Sequence, residues 1–133
     1  MSEDNMKGVR YRGRKEDGMA WEKSPQELAE RFGSILDRFP EAERRKMFGY
    51  PAAFVGGNMV TGLHQRDWVV RLSPEEQARA RSEGAVVFEP MPGRPMKNFM
   101  ALPAATLADD ELVATWVERA IAHGKTLPPK ATR

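Results

Sequence analysis

The sequence predicts an α+β fold in two layers, with helices packed over one face of a mainly antiparallel five-stranded sheet. Three observations predict it. Apolar residues recur at helical spacing near both ends, at 28–39 and 112–121. Between them lie short β-like runs bounded by Gly, Asn and Pro. These runs follow one another through tight turns, which argues against a parallel sheet, whose neighbours need long crossovers. The expected element order is α-β-β-β-α-β-β-α. At 133 residues, 41% apolar and 30% charged, the chain has the size and composition of one domain with its own core.

Residues 1–23 are polar, carry glycines at 8, 13 and 18 without a sustained period, and read as a flexible segment with Trp21 as an anchor. Ser24-Pro25-Gln26-Glu27 reads as a helix start, with Ser24 as cap, Pro25 in the first helical position and Glu27 bonding back to the cap. Leu28, Phe32, Ile35, Leu36 and Phe39 then draw one stripe, which Pro40 ends. Glu41–Met47, with Arg44, Arg45 and Lys46 together, reads as a solvated connection. Ala52–Val55 and Met59–His64 flank Gly56-Gly57-Asn58, a hairpin signal because Gly and Asn accept positive φ. Strict alternation places Val60 and His64 on one face of the second strand, and Met59, Thr61 and Leu63 on the other.

A turn at Gln65-Arg66-Asp67 leads into a third strand, Trp68–Leu72. Ser73-Pro74-Glu75-Glu76 repeats the capping pattern and opens a short helix closed by Gly84. Val86–Pro90 and Met96–Leu102 read as two more strands, around the loop Pro90-Met91-Pro92-Gly93-Arg94-Pro95. A last helix starts between Thr106 and Asp110, carries Leu112, Val113, Trp116, Val117, Ala120 and Ile121 on a broad stripe, and stops at Gly124. Asp109, Asp110 and Glu111 fall in its first turn and His123 in its last, the ends that favour negative and positive charge respectively. The domain map is a flexible 1–23, a single folded domain at 24–124, and a basic tail at 125–133. The sheet face opposite the helices must meet water or a partner, and a homodimer through it is one option.

Composition narrows the function classes. Without cysteine there is no disulfide, no thiolate metal site and no thiol nucleophile. No apolar run reaches the length of a membrane span, and Met-Ser-Glu-Asp-Asn does not open a secretion signal, so a cytoplasmic location and no membrane partner are expected. The pI of 9.1 invites a nucleic-acid reading. Yet residues 1–23 carry a net +1, 124–133 a net +3, and the body between them −2. The positive excess sits at the ends rather than on the fold, so nucleic acid is a weakly supported partner.

The glycine pair Gly56-Gly57 lies between strands, where a phosphate-cradling loop would need a strand followed by a helix. His64 and His123 are the only histidines and show no metal-ligand spacing, and no serine sits in a nucleophile elbow. No catalytic residue, metal or cofactor is therefore expected. The stiff loop Pro90–Pro95 is the best candidate site. It presents Arg94 and Lys97, whose charges suit carboxylate or phosphate groups, and His64 and Tyr50 are expected to join them in binding a ligand or partner. The alternative is a turn in which Arg94 pairs with an acidic neighbour such as Glu89.

Three segments in order, RKMFGYPAAFVGGNMVTGLH (45–64), FEPMPGRPMKNFMALP (88–103) and WVERAIAHG (116–124), resemble the TfoX N-terminal domain family. The resemblance runs from about Ser24 to Gly124. Met47-Phe48-Gly49 keeps the family pattern, while Tyr50-Pro51 follow where a second glycine is common, as in a short stand-alone variety. Phe48, Gly49, Pro51, Gly56, Gly57, Asn58 and Gly93 are its structural fingerprint here. The resemblance implies an α+β fold similar in topology to type III secretion chaperones. It also implies a non-enzymatic bacterial regulator or adaptor that binds another protein. The best-known members regulate competence for DNA uptake and carry a further C-terminal domain, for which residues 124–133 leave no room.

Overall fold

The computed structural model describes residues 23–130; the segment 1–22, with Trp21, and residues 131–133 lie outside it. The elements are α1 (Gln26–Leu36), β1 (Glu43–Met47), β2 (Tyr50–Val55), β3 (Asn58–His64), β4 (Asp67–Arg71), α2 (Pro74–Ser82), β5 (Val86–Val87), β6 (Phe99–Ala101), α3 (Ala104–Leu107) and α4 (Asp110–Lys125). The strands form one antiparallel sheet in the order β1-β2-β3-β4-β6-β5. The class is the α+β fold read from the sequence, with six strands in place of five.

The added strand is β1. Its four consecutive charged residues, Glu43 to Lys46, hide the period-2 signal, and the stretch read as a solvated connection is instead an edge strand. Edge strands stay soluble by carrying such charges. The two segments after α2 shrink to β5 and β6, and β6 starts only after Asn98, where φ is +74°. The two capping patterns also part company. Ser73 caps α2 by accepting from the Glu76 N–H at 3.3 Å, whereas α1 begins one residue later than expected, with Pro25 at its N-cap and the Ser24 hydroxyl buried without a partner among the described residues. Gly84 closes α2 with φ +105°.

α4 lies across β2, β3 and β4, and α1 packs beside it on the same face. Val113, Trp116, Val117, Ala120 and Ile121 meet Val60, Leu63, Trp68, Val70 and Met100 in the main core, while Leu112 stays half exposed. Each such fully buried aliphatic side chain is worth about 1.5–3 kcal/mol. Asp109 caps α4 by accepting from the Glu111 and Leu112 N–H groups, and Asp110 and Glu111 reach back to Arg31 (2.6 Å) and Arg38 (3.1 Å) on α1.

Strict alternation fails in β3. Ala53 pairs Thr61 and Phe54 pairs Met59, which makes Val60 the extra residue of a bulge. Val60, Thr61 and Leu63 therefore all face the helices, and Met59 and His64 face the other way. The bulge carries a buried polar relay: the Trp68 indole N–H donates to the Thr61 hydroxyl at 2.9 Å, and that hydroxyl donates to the Val69 carbonyl at 2.7 Å. It also presses Val60 against α4. A Cβ built on Gly124 would stand 2.5 Å from Val60 Cγ1. Gly124 is thus not the helix stop; it lies within α4, and Thr126 forms the C-cap. Beyond it the chain returns to the β2–β3 turn, where Asn58 Nδ2 donates to the Pro128 carbonyl at 3.0 Å and the Lys130 N–H to the Gly56 carbonyl at 2.7 Å.

His123 is not favoured as a cation. Burial, aided by the charge of Arg71, pushes its pKa below the ordinary 6.5 despite the nearby helix C-terminus.

Gly124→Ala should cost about 1–3 kcal/mol, because the new methyl overpacks against Val60. The urea midpoint measures the loss, and the same change should cost clearly less in a Val60→Ala background. Because the folded state holds the His123 proton less tightly than the unfolded state does, stability is full above pH about 6.5 and declines as pH falls through that value. Denaturation curves for His123→Gln should show a weaker decline between pH about 7.5 and 5.5 than the parent protein.

Candidate functional site

The sheet face away from the helices holds a second, smaller apolar cluster of Val69, Phe88, Phe99 and Ala101, with Met59 packed against it. Next to this cluster the face opens into a cavity of about 610 Å³, inside the range of roughly 300–1,000 Å³ typical of ligand clefts.

Small residues make its floor. Ala52 pairs directly with Gly62, so across β2 and β3 the row rises little above the backbone, and it ends against Val69 on β4. A Cβ on Gly62 would stand 2.6 Å from the Met59 methyl and 3.2 Å from the Pro51 carbonyl, so the glycine gives Met59 room to lie across the floor. Tyr50, His64 and Phe88 form one wall. The His64 ring sits 5.1 Å from Tyr50 and 5.2 Å from Phe88, centroid to centroid. Met47 and Phe48 border the cavity on the side of the β1–β2 turn, and Pro90, Met91 and Met96 come from the loop between β5 and β6. Among the described residues, no Asp, Glu, Lys or Arg lines it.

The loop is held by its backbone. Arg94 N–H donates to the Met91 carbonyl and Met96 N–H to the Phe88 carbonyl, each at 2.9 Å, and the Glu89 carboxylate accepts from the Gly93 N–H. Glu89 is therefore the loop's internal clamp rather than the partner of Arg94, which forms no ion pair among the described residues. Of the four side chains expected to form a site, Tyr50 and His64 meet in the cavity wall. Arg94 and Lys97 do not line it; they stand exposed on the loop that supplies Met91 and Met96.

Sequence reasoning missed the methionines. Met47, Met59, Met91 and Met96 are distant in the chain, and only the sheet register and the bulge bring them to one face. The Gly-Gly-Asn turn takes no part in the cavity. Its Gly56 and Gly57 adopt φ +59° and +82°, and the second lies against the Lys130 carbonyl, where a side chain would collide.

The β1–β2 turn is unusual for its residue. Phe48 has φ +54° and Gly49 φ +86°, and the Phe48 ring is 78% exposed at the cavity mouth. Bulky residues rarely adopt this left-handed conformation.

Among the described residues, no helix is long and apolar enough to cross a membrane. No curated protein matches the chain. The family model for the TfoX N-terminal domain matches residues 34–124, well over half of the sequence, and the chain belongs to that family.

Proposed function

We propose that this protein is a binding module that seats an apolar segment of a partner protein, flanked by acidic residues, in the cavity on its open sheet face. The observation that carries the reading is the cavity itself: about 610 Å³, lined among the described residues without a single Lys, Arg, Asp or Glu, on a face that none of the helices in the described residues covers. Its apolar character continues outward into Phe48, Met91 and Met96 at the rim, all exposed. Contiguous apolar surface of this kind marks contact with another macromolecule. Flexible, polarisable methionines suit a site that must fit around irregular side chains.

Charge at the mouth sets the partner's chemistry. Arg94 and Lys97 stand on the roof loop and Arg66 follows the lining residue Gln65; none of the three forms an ion pair among the described residues. Asp67 is nearby, and Glu89 is engaged with the Gly93 amide. Acidic residues beside the apolar anchor would complement this rim, steering the encounter while the cavity holds the complex. A regulatory or adaptor role follows from such capture and accords with the family. The cavity's uncharged lining favours this protein-binding reading over a small anion or a nucleic-acid strand as its occupant.

The strain at Phe48 supports the same reading. Left-handed backbone costs a residue with a side chain roughly 1–2 kcal/mol, and Asn-Gly would close this turn more cheaply. An exposed aromatic ring kept in that conformation beside a cavity fits a residue retained for contact.

Selection of a displayed peptide library against the protein should enrich sequences with large apolar side chains next to Asp or Glu. Met96→Asp should weaken the enriched peptides about tenfold or more by placing a charge against the buried anchor. Arg94→Ala should weaken them a few-fold and flatten their salt dependence. Affinity unchanged by both substitutions would place binding elsewhere. Phe48→Asn should raise stability by about 1 kcal/mol in denaturation, since Asn tolerates left-handed backbone, while weakening the same peptides. A variant neither stabilised nor weakened would remove the argument from strain.

A further inference from the structure

Four of the five methionines in the described residues line the open-face cavity: Met47, Met59, Met91 and Met96. The fifth, Met100, is fully buried in the helix-side core. The chain has no cysteine, so thioethers are its only sulfur chemistry. Oxidisable sulfur within the described fold is thus divided between a shielded core position and one binding cavity.

Met91 is 59% exposed and Met96 37%, so an oxidant reaches both from solvent. Neither sulfur holds the loop in place. That task falls to the Arg94–Met91 and Met96–Phe88 backbone hydrogen bonds and to the Glu89–Gly93 clamp. Chemical change at these two side chains therefore alters the cavity lining and leaves the fold's supports intact. We propose that Met91 and Met96 form a reversible oxidation site that switches off apolar binding in the cavity, an inference that rests on the cavity being the binding site.

The oxidant class is a peroxide. The thioether sulfur attacks one oxygen of hydrogen peroxide, the O–O bond breaks as the S–O bond forms, and the departing hydroxide becomes water with the proton that the sulfur-bound oxygen gives up. Sulfur loses two electrons to the peroxide, and no other co-reactant is needed. The product sulfoxide is polar and chiral, and methionine sulfoxide reductases restore the thioether. A sulfoxide oxygen facing an apolar ligand loses hydration against a surface that is mostly carbon and sulfur, where among the described residues only Tyr50, His64 and Gln65 carry side-chain donors.

The test uses the full chain and the neutral dye Nile red as the apolar probe. The protein is titrated with the dye before and after graded hydrogen peroxide treatment, with sulfoxides mapped by peptide mass spectrometry and the fold followed by near-ultraviolet circular dichroism. Met91 and Met96 should oxidise before Met100, and dye affinity should fall about tenfold while the dichroism stays unchanged. Sulfoxide reductases should restore affinity. The Met91→Leu, Met96→Leu double variant, compared with its own untreated affinity for the dye, should show no fall after peroxide.

Full dye binding by protein oxidised at both positions would overturn the switch, as would a loss that persists in the double variant or that tracks Met100 oxidation and a changed dichroism signal. Failure of the cavity reading looks different: the untreated protein would not bind the dye, or Met96→Asp would bind it as well as the parent does.

Discussion

One extra residue in β3 decides which side chains are inside this protein. Val60 breaks the pairing between Ala53–Thr61 and Phe54–Met59, and from that point the strand's two faces exchange. Toward the helices, the bulge delivers Val60 to the close contact with Gly124 and Thr61 to the indole of Trp68. Both sites are fully buried, so an unpartnered indole N–H there would cost about 1–3 kcal/mol. Away from the helices, the same bulge lets Met59 and His64, which alternation would have set on opposite faces, share the open face. A regular strand would have sent Thr61 outward and His64 into the aliphatic core, where its ring would lack the partners it finds in Tyr50 and Phe88. Helix seating and cavity are thus two consequences of one insertion.

The open face reflects a compromise between covering apolar surface and leaving it available. Phe88, Phe99 and Ala101 close over part of it and bury Val69. The remainder has a floor of Ala52 and Gly62, too small to fill the space beneath the Pro90–Pro95 loop. Larger residues at those two positions would pack the face like a second core. In the proposed function that unfilled volume is where the partner's side chains enter, and the left-handed Phe48 is a second place where local stability is given up at the same rim.

Most of the fold was legible because its signals are local. The stripe from Leu28 to Phe39, the Gly56-Gly57 turn, the Ser73 cap and the stripe of α4 each lie within a few residues. The failures share a different cause, since each depends on what is packed opposite. β1 is a strand because β2 offers it an edge, and its own Glu-Arg-Arg-Lys run gives no alternation to read. Gly124 resembles a helix stop until Val60 is found against it. The Val60 bulge leaves no mark in the sequence of β3. The site was legible in the same partial way: Tyr50, His64, Arg94 and Lys97 stood out by chemistry, but methionine in sequence reads only as core. Their meeting on one face depends on the register of β2 and β3 and on a loop clamped by Glu89.

Both sheet edges are poorly suited to partners, which sharpens the significance of the open face. β1 presents Glu43, Arg44, Arg45 and Lys46, a run that discourages addition of another strand. Several of these charges are also engaged: Arg44 with Asp37 and the Gly33 carbonyl, and Arg45 with Glu43. At the other edge β5 is two residues long, too short to template a stable ladder. A partner that approaches the sheet therefore gains little by backbone pairing at either side and gains most by inserting side chains into the face. In the proposed function, that favours recognition through a few apolar anchors of the partner, with Arg66, Arg94 and Lys97 at the rim fixing the orientation in which they would enter.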